Sequence, residues 1–368
     1  DHLGSDLIGL LGPDNECDLA GSLGWQNMTT GGATKEVALD RMLDLTRLLW
    51  EERGMAGFPL LGPAHAYQTW NGAGSTFSMM ELFTRNSNEF LSLIDGIDTH
   101  PHTAAATRGH NFDGSAPADG LQSSHHTGRV LNTIGIAKPW TPFESGYAWD
   151  NHEASGLNAR YRFGSHICGL LRYGVSWWSL YCHAASGHDS MNISEQAPPF
   201  AKRDWYDAAT GVSEPSQYML PASGLLTITA KPASAYGTPP WFVLAKHDST
   251  GFPAEFGRVT IGDGYIACSA GGRNIVARPV WLPSLAARTL TVSAALSGGA
   301  TARLCAYGFD KLNMLAETTS LVTSSGTYSV SFTPKLHNTP GIPNPNYVLV
   351  WLDHNGTGSV EWSDIEIH

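Results

Sequence analysis

The pattern of apolar residues changes at about residue 213, and this change constrains the fold more than any other feature of the chain. Before it, short strand-like runs alternate with stretches whose apolar residues recur every three or four positions, as in an amphipathic helix. After it, only short strand-like runs occur, separated by Gly, Pro, Asn and Ser. Alternation predicts a parallel α/β sheet, whereas strands and turns alone predict an antiparallel sandwich. We therefore expect two domains, residues 1–213 and 214–368.

The first half contains five strand-like runs with helical patterns between them. Polar residues at the ends of these runs favour a (β/α)8 TIM barrel, whose active face lies at the carboxyl ends of its strands. A closed barrel needs eight strands, so three more are expected upstream of Asp1 or on another chain. The runs are 7–11, 58–64, 91–99, 132–137 and 175–181, and the helices are expected near 34–53, 76–85, 125–132 and 157–173, with Gly54 and Gly174 as stop signals.

The second half predicts an antiparallel β-sandwich of the jelly-roll kind. Its strand-like runs are short and show no helical period. The five cysteines show neither metal spacing nor a dense disulfide framework, so we expect buried free thiols, with Cys268 and Cys305 as the one pair that could form a disulfide bond. The runs are 225–229, 241–244, 264–268, 288–296, 302–307, 327–332, 347–352 and 358–367.

Charge and hydropathy exclude two kinds of partner. The formal net charge is −11 at pH 7, which argues against binding to nucleic acid. No run approaches eighteen consecutive apolar residues, so no membrane span is expected. Neither a phosphate-binding loop nor a Gly-x-Ser-x-Gly motif occurs, so we expect no cofactor and no serine nucleophile.

Two glutamates stand where a buried strand opens into a loop. Glu16 follows the run at 7–11 and is preceded by Asn15, whereas Glu144 follows the run at 132–137. A pair of facing carboxylates is what retaining glycoside hydrolysis needs, one as the proton donor and one as the nucleophile. The Asn15 amide could donate to the sugar hydroxyl beside the reacting carbon.

These residues resemble clan A of the retaining glycoside hydrolases over positions 1 to about 210. In that clan the acid/base glutamate follows an asparagine on strand four and the nucleophile ends strand seven. The resemblance implies that Glu16 is the acid/base and Glu144 the nucleophile. Substrate-binding residues implied in the same way are Asn15, His100 and His102 after strand six, and Trp177 and Trp178 on strand eight. Trp140 is a further candidate, because an aromatic residue in a loop after a strand end can stack on the apolar face of a sugar ring.

A metal site is the alternative interpretation of His100 and His102. His-x-His at a strand end is a known ligand spacing, and Asp98 stands nearby. We expect no metal, because a position after strand six of the barrel explains His100 without one. We expect the histidines of this half to form hydrogen bonds with sugar hydroxyls instead.

The C-terminal run 358–367 resembles the closing strand of jelly-roll carbohydrate-binding modules. The sandwich could therefore bind sugar or only support the barrel. The working hypothesis is a secreted retaining glycosidase that cleaves a β-linked oligo- or polysaccharide. The alternative is a non-catalytic carbohydrate-binding or structural protein with a degenerate barrel.

Overall fold

The fold was analysed in a computed structural model of the 368-residue chain. It describes residues 29–56, 60–62, 79–100, 102–103, 128, 131, 138–142, 146–147, 168–175, 218–229, 241–244, 258–311, 314–334 and 347–368.

Three extended segments of the first half lie side by side and parallel: 60–62, 95–97 and 139–141. Single bridges join the first segment to the second and the second to the third. Backbone hydrogen bonds of 2.6–2.9 Å connect them. Strands β1 (His102–Thr103) and β2 (Gly146–Tyr147) continue the second and third segments and also pair in parallel. This is the pairing that strand–helix alternation predicts for three consecutive units of a parallel sheet.

Helices pack against these segments. They are α1 (Lys35–Ala56), α2 (Met79–Phe83) and α3 (Arg85–Leu93), and further helical residues occur at 128, 131 and 168–172. Apolar side chains at helical spacing form one buried cluster with the extended segments, because each helix turns its apolar stripe inward. This cluster comprises Ala38, Leu39, Met42, Leu43, Leu82, Phe83, Phe90, Ile94, Ile97, Leu131, Trp140, Leu170 and Val175.

The second half forms two antiparallel five-stranded sheets. The outer sheet has the order β10-β7-β12-β5-β4 and the inner sheet the order β3-β6-β11-β8-β9. The strands are β3 (Phe242–Leu244), β4 (Val259–Ile261), β5 (Tyr265–Cys268), β6 (Asn274–Trp281), β7 (Arg288–Ser297), β8 (Ala302–Lys311), β9 (Met314–Val322), β10 (Gly326–Phe332), β11 (Tyr347–His354) and β12 (Ser359–Ile367).

The two sheets differ in what covers them. In β12 buried residues alternate with more exposed ones, so one face of the outer sheet contacts the core and the other is open. All eight residues of β11 are buried, so the inner sheet is covered on both faces at its centre. The core between the sheets includes Trp241 and Trp362, and β11 adds Val348, Val350 and Leu352.

The first half covers part of the inner sheet. The Tyr347 hydroxyl lies 2.7 Å from the carbonyl oxygen of Leu171, to which it donates. The Arg172 guanidinium lies 4.8 Å from the ring centroid of Tyr307 and 5.0 Å from that of Trp351. Cation–π contacts of this kind hold a charged side chain against an aromatic surface.

Several predictions from the sequence need correction in detail. Helix α1 continues to Ala56, so Gly54 does not end it. The strand predicted to begin at residue 91 begins later, because α3 continues to Leu93. Cys268 and Cys305 are not in a disulfide bond, because Cys268 packs in the core between the sheets whereas Cys305 lies on the inner sheet.

The two-sheet sandwich is present, while a closed (β/α)8 barrel is not seen in the described residues, which hold only the three parallel segments of the first half. The described helices include none that is long and apolar enough to cross a membrane.

Candidate active site at the ends of the parallel strands

The segments before and after the predicted nucleophile, Glu144, pair in parallel with the segment that carries His100 and His102. Trp140 bridges Ile97, and Gly146 pairs with His102. The path from Trp140 to Gly146 is one residue longer than the path from Ile97 to His102 beside it. Glu144 falls within this longer path.

Polar side chains are buried where these parallel segments end. Thr99 and Thr141 are fully enclosed, and His100 is only 2% exposed. Asp98, next to them, is also buried. Burying polar groups is unfavourable unless they are hydrogen-bonded, so such a cluster indicates a site with a specific arrangement. Its position at the carboxyl ends of parallel strands is the position of active sites in barrel enzymes.

A hydrogen bond across two segments fixes the cluster. The indole Nε1 of Trp140 donates to Thr99 Oγ1 at 2.7 Å, and both groups are buried. The backbone amide of Thr141 donates to the carbonyl oxygen of Ile97 at 2.9 Å. Together these bonds set the position from which the chain continues toward Glu144, four residues after Trp140.

The predicted site residues fall into two groups. His100 and Trp140 lie in the cluster just described, and His102 lies in β1 opposite Gly146. Trp140 is 4% exposed and packs in the apolar cluster, so stacking on a sugar would require its ring to become exposed. Its role in substrate binding stays a prediction. Asn15, Glu16, Glu144, Trp177 and Trp178 lie outside the described residues.

Thr99 and Thr141 were missed by the sequence analysis. Threonines next to a strand end are common, and no local signal separates a buried one from a surface one. The pattern Asp98-Thr99-His100 followed by Pro101 is the one available hint, because three consecutive polar residues after an apolar run end a buried strand. Among the described residues, no group of three or more His, Cys, Asp and Glu could hold a metal ion.

In the described part of the sandwich most tryptophans are buried. Trp241, Trp351 and Trp362 are buried, as expected for core residues, and Trp281 is partly exposed. The open face of the outer sheet presents mainly hydroxyl groups, such as Thr289, whose Oγ1 lies 3.1 Å from Ser331 Oγ. The same face also carries Tyr265, which is in register with Ser363 of β12 and is partly exposed.

No protein-family model matches the sequence, and no relative was found among curated proteins. Solved structures similar to the chain include glycoside hydrolases and carbohydrate-binding modules, all at low TM-scores. A β-porphyranase of glycoside hydrolase family 86 from the human gut bacterium Bacteroides plebeius has 13% identity and a TM-score of 0.33. The match covers 90% of this chain and 55% of that protein, so this chain spans about half of the porphyranase.

Two further structures match a smaller part of this chain. A xylanase fragment from Clostridium thermocellum, solved with xylohexaose, has 13% identity, a TM-score of 0.25, and coverage of 39% of this chain and 28% of that one. A family 61 carbohydrate-binding module solved with β-1,4-galactotriose has 13% identity, a TM-score of 0.24, and coverage of 37% and 91%. Similarity at this level says nothing about activity.

Proposed function

We propose that the chain is a retaining glycoside hydrolase that cleaves a β-linked glycan. The observation that carries the proposal is the buried polar cluster of Thr99, His100 and Thr141 at the carboxyl ends of neighbouring parallel segments. Glu144 follows this cluster by three residues in the sequence. A carboxylate soon after the carboxyl end of a parallel strand has the position in the chain that glycosidases with a barrel fold use for catalysis.

In the proposed mechanism the two glutamates have different roles. The Glu144 carboxylate attacks the anomeric carbon while Glu16 donates its proton to the leaving glycosidic oxygen. A covalent glycosyl–enzyme ester results. Glu16 then removes a proton from water, whose oxygen attacks the anomeric carbon, and the Glu144 carboxylate leaves. The product keeps the configuration of the substrate.

The division into two domains is part of the same proposal. Residues 1–213 would carry the catalytic part and residues 214–368 the sandwich that packs on it. The contacts of Arg172 and Tyr347 join the two parts through the end of the helix at 168–172. A secreted location is part of the proposal, because large β-linked glycans lie outside cells.

The test is covalent trapping. The intact protein is incubated with dinitrophenyl 2-deoxy-2-fluoro-β-glycosides of glucose, galactose, xylose and mannose and then weighed by mass spectrometry. We expect a mass increase of one fluoroglycosyl unit, on the peptide that contains Glu144. The variant Glu144→Gln should gain no mass. Glu361→Gln, which changes an exposed glutamate of β12, is the matched control and should label like the unchanged protein.

A second measurement addresses the proton donor. Glu16→Ala should slow cleavage of unactivated glycosides by about 10²–10⁴-fold, the usual contribution of general acid–base catalysis. Dinitrophenyl glycosides need no proton, so their first step should be affected far less. Labelling of another carboxylate in place of Glu144, or none with any of the four sugars, would refute the assignment.

A further inference from the structure

The turn from β11 to β12 links the two sheets and contains the dipeptide Asn355-Gly356. β11 ends at His354 in the inner sheet and β12 begins at Ser359 in the outer sheet, so residues 355–358 cross from one sheet to the other. The Asn355 side chain is exposed. Asparagine is a chemically labile residue, because the backbone nitrogen of the next residue can attack its side-chain amide. The chemistry of this turn therefore depends on how the Asn355 side chain is held.

A hydrogen bond folds the Asn355 side chain over the next peptide bond. The backbone amide of Thr357 donates to Asn355 Oδ1 at 3.0 Å. Asparagine commonly bonds in this way to the amide two residues on. The ring that the bond closes contains the Gly356 nitrogen, so the amide carbon Cγ of Asn355 stays near that nitrogen. Attack on Cγ would place negative charge on Oδ1, where the Thr357 amide is already in position to stabilise it.

The other bonds of Asn355 hold it against the turn between β7 and β8. Its side-chain Nδ2 donates to the Thr301 hydroxyl, and its backbone amide donates to the carbonyl oxygen of Thr301 at 3.1 Å. The residue is thus held from its backbone and from its side chain. Its amide group has a defined position although it faces solvent.

The fold requires glycine at position 356. Gly356 has φ +96°, a backbone conformation that other residues rarely adopt. A Cβ at this position would lie 2.5 Å from the carbonyl carbon of Gly272, and the Gly356 carbonyl oxygen accepts from the Gly271 amide at 2.9 Å. Because glycine has no side chain, nothing at position 356 hinders the approach of its nitrogen to Cγ. The packing that excludes a larger residue also keeps Asn355 unshielded.

We propose that Asn355 is a site of spontaneous deamidation. The Gly356 nitrogen loses its proton and attacks Asn355 Cγ. The bond between this nitrogen and Cγ forms, the bond between Cγ and Nδ2 breaks, and the side-chain nitrogen takes up a proton and leaves as ammonia. The product is a cyclic succinimide. Water then opens the ring at either carbonyl carbon and gives aspartate or isoaspartate. The reaction needs water alone and no step of the proposed glycosidase activity.

The two products affect the turn differently. Both lose the N–H that donates to Thr301, and both gain a negative charge. Isoaspartate also routes the main chain through the side-chain carbon, which lengthens the connection between β11 and β12. Both of these strands are central in their sheets, and Gly356 already lies close to Gly272. We therefore expect isoaspartate to loosen the sandwich more than aspartate does.

The test follows the intact protein over time at pH 8. Samples are digested, and mass spectrometry with chromatography separates the asparagine, aspartate and isoaspartate forms of each peptide. A synthetic peptide with the sequence of the turn sets the time scale of the unrestrained reaction. Within that time we expect Asn355 of the folded protein to convert. Asn86 and Asn88, which are also exposed but precede Ser87 and Glu89, should convert several times more slowly. Conversion should slow at pH 6, because the attacking nitrogen must lose its proton.

Three variants separate the chemistry from its consequence. Asn355→Gln should lose the reaction, because glutamine would have to close a larger ring. Asn86→Gln changes another exposed amide and should leave the rate at Asn355 unchanged. Asn355→Asp carries one of the two products from the start. Its thermal transition should lie close to that of fresh protein, whereas an aged sample rich in isoaspartate should unfold at a lower temperature.

Two results would overturn the proposal. The first is an intact Asn355 in the folded protein after the free peptide has been converted, which would show that the turn protects the residue. The second is conversion at Asn355 that is no faster than at Asn86 and Asn88. An aged sample that unfolds like fresh protein would refute the structural consequence of isoaspartate.

Discussion

The Tyr347 hydroxyl donates to the carbonyl oxygen of Leu171 at 2.7 Å and lies 3.1 Å from that of Val175. The helix at 168–172 ends in a Schellman motif: Gly174 adopts φ +85°, its amide donates to Leu171, and the amide of Val175 donates to Leu170. A tyrosine of the sandwich therefore completes the end of a helix in the other half of the chain. Burial raises the pKa of Tyr347 well above its ordinary value, so this hydroxyl remains a donor.

Removing this hydroxyl should destabilise the whole chain. Tyr347→Phe removes a buried hydrogen bond but leaves the Leu171 carbonyl oxygen with the Gly174 amide as a donor, so we expect a cost of about 0.5–1.5 kcal/mol. Urea unfolding followed by tryptophan fluorescence measures the loss. Tyr328→Phe is the matched control, because that hydroxyl bonds to the carbonyl of Ser324 at an exposed position and its loss should cost much less. Equal effects of the two substitutions would contradict a special role for Tyr347.

Trp140 and Thr99 should be coupled energetically. Trp140→Phe and Thr99→Val each break the 2.7 Å hydrogen bond. Trp140→Phe leaves the Thr99 hydroxyl without this donor and also leaves a packing defect, whereas Thr99→Val leaves the indole N–H without this acceptor. The double variant should be less destabilised than the sum of the two single variants. We expect an interaction energy of about 0.5–3 kcal/mol in a double-mutant cycle.

Activity provides a second readout for this pair. If the pair positions the segment that leads to Glu144, the single variants should lower kcat more than they raise KM. Additive stability effects together with an unchanged kcat would show that the pair serves packing only.

The buried thiols give a pH dependence with a defined sign. Burial, with a smaller contribution from Asp353, raises the pKa of Cys268 to about 12 from an ordinary 9.0. Below pH 9 the thiol is neutral in both states. Between about pH 9 and pH 12 it ionises only in the unfolded chain, so stability should fall by up to about 1.4 kcal/mol per pH unit.

The difference between the unchanged protein and Cys268→Ala isolates this effect. The free energy of unfolding of Cys268→Ala, measured at pH 8 and pH 10.5, should depend less steeply on pH than that of the unchanged protein. Alkylation supplies a control: the peptides that contain Cys168 and Cys268 should react with iodoacetamide only after unfolding, because both thiols are buried. Parallel pH profiles of the two proteins would contradict the raised pKa.

The sandwich expressed alone should expose an aromatic surface. Without the first half, Tyr307 and Trp351 lose Arg172, and the covered face of the inner sheet meets water. Large exposed apolar patches promote association. We expect residues 214–368 to bind a hydrophobic dye and to self-associate in sedimentation experiments, whereas the full chain does neither. A monomeric fragment that binds no dye would show that the halves are independent.

Most strands of the sandwich could be predicted because their patterns are local. β10 and β12 alternate apolar and polar residues, and β11 is a continuous apolar run, the pattern of a strand covered on both faces. β6 was missed because Arg278 and Pro279 interrupt its apolar pattern. The Arg278 side chain is nevertheless buried, and its Nη1 donates to the carbonyl oxygen of Thr227 at 3.1 Å. β9 was missed because its centre, 317–320, is polar.

The candidate site was less predictable than the fold. His100 was a candidate because His100-Pro101-His102 resembles the turn after strand six in clan A, which is a local pattern. The bond between Trp140 and Thr99 depends on two segments 41 positions apart in the chain, and no sequence window contains both. The same holds for Asn355 and Thr301, which are 54 positions apart.

The order of strands in the two sheets has a consequence for synthesis. β11 is central in the inner sheet, between β6 and β8, and β12 is central in the outer sheet, between β7 and β5. Both strands follow all their partners along the chain. The inner sheet therefore cannot close before His354 has left the ribosome, and the outer sheet cannot close before Ile367 has left it. Until then the earlier strands have unpaired edges. The sandwich is complete only after β11 and β12 have been synthesised, and a premature stop before Tyr347 would leave both sheets split in two.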